Sequence, residues 1–166
     1  MRFQVRALST FVLSVLLIIC TKQLLAQENS MEVRANADSG AIQEAISGFI
    51  DAFVNLDWER FRTSFADGAT VFFPPSAKFA RRANGRAEIE STFGSVFENA
   101  RLHKSHAPYV DIHPKDVHMQ TFGNVAIVTF HLEDSDWFGR RTIVLNKQDE
   151  KWLMVHLHAS GIAVSR

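Results

Sequence analysis

The 166-residue sequence predicts an α+β domain, with helices gathered in its first half and antiparallel strands in its second. Three observations carry that expectation. Ile42, Ala45, Ile46, Phe49, Ile50 and Phe53 recur at three- and four-residue spacing, the period of a helix with one buried face. Residues 108–162 hold four segments of strand character with turn residues between them and no helical period. The last strand, Lys151–Ile162, alternates, yet neither of its faces is charged. Leu153, Val155, Leu157 and Ala159 fall on one face, and Trp152, Met154, His156, His158 and Ser160 on the other. A half-exposed strand would show solvated side chains on one side. The aliphatic face is therefore expected to meet the domain's own core and the Trp/His face a second subunit. A curved sheet wrapped over helices, with a partner on its back, follows.

Asp38 or Ser39 is expected to cap the first helix, which begins near Ala41 and ends about Asn55. Asp57 caps a short second helix from Trp58 to Phe65, with Phe61 and Phe65 turned inward. Asp67-Gly68 reads as a turn, and Ala69–Phe73 as a strand stopped by Pro74-Pro75. Phe79–Ala83 is a candidate edge strand, broken by Asn84-Gly85. Helical period returns over Arg86–Ala100 through Ile89, Phe93, Val96 and Phe97. The long strands are Pro108–Met119, with a bulge at Pro114, then Val125–Glu133, Arg140–Lys147 and Lys151–Ile162. Gly123-Asn124, Asp136 to Gly139 and Gln148 to Glu150 supply the turns.

Residues 1–26 read as a signal peptide. Arg2 and Arg6 form the positive region, and Phe11–Cys20 is an apolar run too short to span a membrane comfortably. Cleavage is expected after Ala26, which makes the mature protein periplasmic or secreted. Retention of the segment would leave a membrane anchor, and Cys20 is a lipidation alternative, although Ile19 stands where lipoprotein signals carry a small residue. Residues 27–40 read as a flexible leader and 41–164 as one domain. Losing Arg2, Arg6 and Lys22 leaves fifteen basic residues against eighteen acidic ones, a net charge of −3, which argues against nucleic acid as a partner. After Cys20 there is no cysteine, so neither disulfides nor a thiolate zinc site are available. The sequence holds no Gly-x-Ser-x-Gly, no phosphate-cradling glycine loop and no His-Glu-x-x-His. The common hydrolase, kinase and metalloprotease classes lose support, and no cofactor is expected.

His156 and His158 share one strand face at about 7 Å between Cα atoms. A metal would need a third ligand from His113, His118 or His131; no metal is expected, and hydrogen bonding across a subunit interface is the favoured role. Arg82, Arg86 and Glu88 around Asn84-Gly85 suggest either an anion site at a helix start or surface salt bridging. Asp134-Ser-Asp136 reads as a solvated hairpin tip.

Asp149-Glu-Lys-Trp-Leu-Met-Val-His-Leu-His-Ala-Ser-Gly161 resembles the last strand of the SnoaL-like and DUF4440-type domains, whose pattern is an acidic turn, Trp, then His-x-His-x-Ser. It is also similar to the association domain of calcium/calmodulin-dependent kinase II. Asp57-Trp-Glu-Arg-Phe resembles the loop and second helix of such domains, and the likeness covers about residues 40–164. It implies the cone-shaped fold of nuclear transport factor 2 (NTF2) and ketosteroid isomerase: a curved antiparallel sheet over three helices, dimerising through its convex face. The kinase domain lines its pocket with arginines. The matching positions here, Leu132, Ile143 and Ala159, imply that an anion-binding cavity of that type is absent.

Within that fold the inner sheet face is expected to carry Ala126, Val128, Phe130, Leu132, Ile143, Leu145, Leu153, Val155 and Leu157. Trp58, His106, Phe130, Leu132, Ile143 and Leu157 are the candidate ligand-binding residues. Tyr109 and Asp111 are the candidate catalytic pair, since a carboxyl held against apolar walls gains proton affinity; solvation of both is the competing reading. Trp152, His156 and His158 are the candidate interface. Three functions stay open: an exported binder of a small hydrophobic molecule, a cofactor-independent isomerase, cyclase or dehydratase, and a non-catalytic dimerisation module.

Overall fold

A computed structural model describes residue 27 and residues 36–74 and 81–164. The expected signal peptide, its cleavage site and residues 79–80 of the expected edge strand lie outside the described residues. Ala41–Arg166 forms a compact unit, and among the described residues no helix is long and apolar enough to cross a membrane.

Helix α1 covers residues 36–55, so the cap expected at Asp38 or Ser39 does not form. A helix anchored by Ile42 and Ile46 extends into polar residues at below about 1 kcal/mol each. Its apolar face buries Ile42, Ile46, Phe49 and Ala52. It ends in a Schellman turn. The Leu56 amide donates to the Phe53 carbonyl at 3.2 Å and that of Asp57 to Ala52 at 2.8 Å, with Leu56 left-handed at φ 54°. That conformation costs a side-chain-bearing residue roughly 1–2 kcal/mol. Burial of the Leu56 side chain offsets it by about 1.5–3 kcal/mol.

Asp57 caps α2, Trp58–Arg62, accepting from the Arg60 amide at 3.2 Å. This helix is shorter than expected because the Thr63 and Ser64 hydroxyls donate to the Arg60 carbonyl in competition with the helical ladder. Phe65 consequently opens strand β1, Phe65–Phe72. Asp67-Gly68, expected as a turn ahead of the strand, falls within it instead. It lies in an irregular part of β1 where Phe65 pairs with Met154 and Thr70 with His156 of the last strand. Arg86 pins that excursion, donating to Asp67 Oδ1 and the Phe65 carbonyl, each at 2.8 Å.

Strand β2 is Ala83–Asn84 and α3 is Gly85–His103. Gly85 has φ 75°, open to glycine without strain. Glu88 accepts from the Asn84 amide at 2.8 Å and Arg82 donates to the Asn84 side chain at 2.7 Å. With Arg86 on Asp67, the polar groups around this helix start are satisfied by one another. Strands β3 (Lys115–Phe122), β4 (Val125–Glu133), β5 (Trp137–Gln148) and β6 (Lys151–Ala163) follow. The sheet order is β2-β1-β6-β5-β4-β3. Every pairing is antiparallel except β1 with β6, so the curved sheet is mixed rather than wholly antiparallel.

Residues 108–114, expected as strand, are irregular. The Tyr109 and Val110 amides donate instead to the Val54 carbonyl at the end of α1, and Pro114 has no amide to offer a ladder. Trp137 to Gly139, expected as turn, belong to β5. Gly139 faces Gly161 across β5 and β6, and a Cβ on Gly161 would stand 2.2 Å from the Trp137 indole. The β5–β6 loop places Asp149 and Glu150 at φ 48° and 62°, the paired left-handed conformations of a type I′ hairpin.

Strand β6 departs most from simple alternation. Met154 pairs with Leu145 and His156 with Val144, so Val155 is an extra residue, a β-bulge. Parity inverts there. Trp152 and Met154 face the core before the bulge, and Leu157 and Ala159 face it after. Leu153 and Val155 are only partly buried, contrary to the expected inner face.

The core's densest part surrounds Phe61. Its ring lies 4.6 Å from that of Phe93, 5.0 Å from Phe97, 5.3 Å from Phe49 and 5.4 Å from Phe65, between centroids, in tilted or edge-on arrangements. Phe61→Ala is expected to lower unfolding free energy by about 3–5 kcal/mol. Asp57→Ala should lower it by about 1 kcal/mol through loss of the cap. Denaturant titration of the two variants would show that ordering.

Candidate ligand cavity

Between the α1 and α3 faces and the inner surface of the sheet lies a cavity of about 350 Å³. Phe49, Ile50 and Phe53 come to it from α1, and Phe93 and Val96 from α3. Val71 and Phe73 come from β1 and the residue after it, and Phe130, Leu132, Leu157 and Ala159 from the sheet. Ile112 closes one side from the irregular segment.

The cavity's one charged wall residue among those described is Arg141. Parity places it there: Arg141 pairs with Phe130 on one side and Ala159 on the other, both inward. Its Nη1 donates to the Arg140 carbonyl at 2.9 Å and the Ser160 carbonyl at 3.2 Å. No carboxylate among the described residues pairs with it, and burial holds its guanidinium below the ordinary arginine value. An arginine therefore lines the cavity, although not at the positions that the kinase resemblance pointed to. Leu132, Ile143 and Ala159 are apolar as read, but the cation enters from a neighbouring register position. The alternation that turned Ile143 and Leu145 inward also turns Arg141 inward, and that signal was present in the sequence.

Of the other expected ligand residues, Phe130, Leu132 and Leu157 line the cavity. Ile143 is fully buried beneath the wall. Trp58 packs on the rings of Phe61 and Phe97, and His106 is exposed, its Nδ1 3.3 Å from the Ala107 carbonyl. The structure does not bring Tyr109 and Asp111 together on the cavity. Asp111 is exposed and meets His113 Nε2 at 2.7 Å, while Tyr109 is half-buried outside the lining. Ile112, the residue after Asp111, is the one from this segment that lines the cavity, while Val110 packs against the core.

The opposite sheet face carries Thr70 and Phe72 from β1, His156 and His158 from β6, Thr142 and Val144 from β5, and Ile127 and Thr129 from β4. His156 Nδ1 shares a 2.7 Å hydrogen bond with the Thr70 hydroxyl, and both imidazoles flank the Phe72 ring at 5.6–6.0 Å. Trp152 is not on this face. It is 5% exposed within the core cluster, because the Val155 bulge reverses the parity that placed it beside the histidines. At the sheet's end Glu133 bridges Lys115 and His131, and the Lys115 hydrogen bond chiefly holds its carboxyl below the usual range.

No functionally curated protein matches the chain. Among solved structures, an NTF2-like family protein from Streptomyces avermitilis is 18% identical, with 78% of this chain and 99% of that one covered at a TM-score of 0.65. An NTF2-like protein with a cystatin-like fold from Novosphingobium aromaticivorans is 13% identical, covering 79% and 86% at 0.63. A ketosteroid isomerase-like protein from Erwinia carotovora atroseptica is 19% identical, covering 76% and 96% at 0.57. At these identities the likeness establishes the fold, an α+β cone of the NTF2-like kind. The SnoaL-like domain matches residues 42–165, nearly the whole compact unit, and the chain belongs to that family.

Proposed function

We propose that this protein is an exported SnoaL-like domain that binds a small, mostly hydrophobic molecule in its cone cavity. The observation that carries this reading is the cavity itself: about 350 Å³, within the size range of small-molecule sites, and walled mainly by aromatic and aliphatic side chains. An acid–base enzyme would need a carboxyl, phenol or imidazole aimed at the bound molecule, and the lining among the described residues supplies none. Export rests on the N-terminal segment, Arg2 and Arg6 ahead of Phe11–Cys20. Native mass spectrometry of the protein purified from its own host should find a chain beginning at Gln27 and carrying a ligand. Filling the cavity by Ala159→Phe should reduce ligand occupancy at least about tenfold. Full occupancy in that variant would place the ligand elsewhere.

Dimerisation through the convex face is the second part of the proposal. The stripe from Phe72 across His156 and His158 to Thr142, Val144, Ile127 and Thr129 is uncharged at its centre, with Arg140 at one margin, and Phe72 is 39% exposed. A water-facing sheet surface of that composition suits a second copy of the chain. His158→Asp, which places like charges face to face near the axis, should weaken the dimer by tenfold or more, on the order of 1.4 kcal/mol; equilibrium sedimentation would read it. An unchanged monomer–dimer equilibrium would move the interface off this face.

The same face gives a pH signature. Burial first, then the charges of His158 and Arg82, holds the His156 imidazole below its ordinary value of 6.5. The unfolded chain takes up a proton near that pH while the folded chain resists it. The stability is present above about pH 6.5 and is lost as pH falls through the lower folded value. Thermal melts of His156→Gln should fall less between pH 7.5 and 5 than those of the natural protein.

A further inference from the structure

We propose that Arg141 makes the cavity selective for amphiphilic anions: molecules with an apolar body and one terminal carboxylate or comparable oxyanion. The inference rests on the ligand-binding reading above and names its chemical class.

The geometry isolates a cation in an apolar enclosure. Arg141 lines the cavity beside Phe130, Leu132, Leu157 and Ala159, and its charge has no carboxylate partner among the described residues. Its two hydrogen bonds, to the Arg140 and Ser160 carbonyls, both come from Nη1. They fix the plane of the guanidinium, and they leave Nε and Nη2 without an acceptor among the described residues. A guanidinium offers a rigid fork of donors that matches a carboxylate in a two-point pairing. A half-buried cation without a counter-ion is costly to keep. An anion delivered at the end of an apolar molecule removes that cost while its hydrocarbon part covers Phe49, Phe53 and Phe93 across the cavity. A neutral ligand of the same shape gains the second contribution only.

Decanoate and decan-1-ol separate the two contributions, since they share a chain and differ in the head. Calorimetric titration of the full mature protein at pH 7.5 should show decanoate binding about tenfold or more tighter than decanol. Arg141→Gln should bring the two affinities together by weakening decanoate and leaving decanol within about twofold. Arg141→Lys, which keeps the charge but not the fork, should recover part of the preference. Equal affinities in the natural protein would overturn the inference and leave the cavity reading standing, and that comparison needs no variant to fold. Binding of neither probe would sink both readings.

Discussion

The arrangement of this domain depends on the extra residue that β6 carries at Val155. Without it, strict alternation would put Trp152 and Met154 on the same side as His156 and His158. Either the indole would be stripped from the core or the imidazoles driven into it. The bulge lets one strand serve two environments in sequence. Trp152 and Met154 close the core beneath α1 and α2, and Leu157 and Ala159 then wall the cavity. Strand β1 meets the same irregularity by its excursion between Phe65 and Thr70. Arg86, anchored on Asp67 and the Phe65 carbonyl, ties α3 to that excursion.

That constraint divides the interior into two unequal halves. One half is packed solid around Phe61, where rings from both long helices and the short α2 meet edge to face. Aromatic pairs of that kind each add about 0.5–1.5 kcal/mol beyond the area they bury. The other half is left open beside Arg141. An open, apolar space forgoes dispersion contacts on its lining, and a desolvated cation adds to the cost. The dense half supplies the stability that allows the loose half to exist, so the Phe61 cluster and the cavity are parts of one arrangement.

Much of the fold was legible in the sequence because its signals are local. The spacing Ile42 to Phe53, the cap at Asp57 and the turn at Gly123-Asn124 report on their own neighbourhoods. The long β4, β5 and β6 were legible for the same reason, and β4 falls on the expected Val125–Glu133. The failures share a different cause. A bulge leaves no mark in a run such as Met154-Val-His156, since either parity keeps apolar residues on a face; only the pairing with Val144 and Leu145 discloses it. Residues 108–114 carry strand-like side chains, but their amides are claimed by the carbonyl at the end of α1, a partner more than fifty positions away. Asp67-Gly68 has turn chemistry, yet it stands within β1 as an excursion between the paired Phe65 and Thr70, held by the distant Arg86.

The apolar part of the cavity lining was legible in the sequence, whereas Tyr109 and Asp111 stand outside that lining and Arg141 within it. Tyr109 and Asp111 have side chains of catalytic type and lie near Ile112 in sequence, but residue type alone carries no record of which neighbour turns inward. The structure turns the adjacent Ile112 inward instead. Arg141 went unnoticed because, as one of two consecutive arginines after a hairpin, it looks like ordinary surface charge, and only its neighbour Arg140 is that. What separates them is parity alone: Arg140 pairs with His131 and Ser160, Arg141 with Phe130 and Ala159. One peptide unit thus decides whether a guanidinium is fully screened by water or stands half-buried among apolar side chains, where screening is weaker. On the reading proposed above, this single inward cation among apolar walls is the feature that sets the class of ligand.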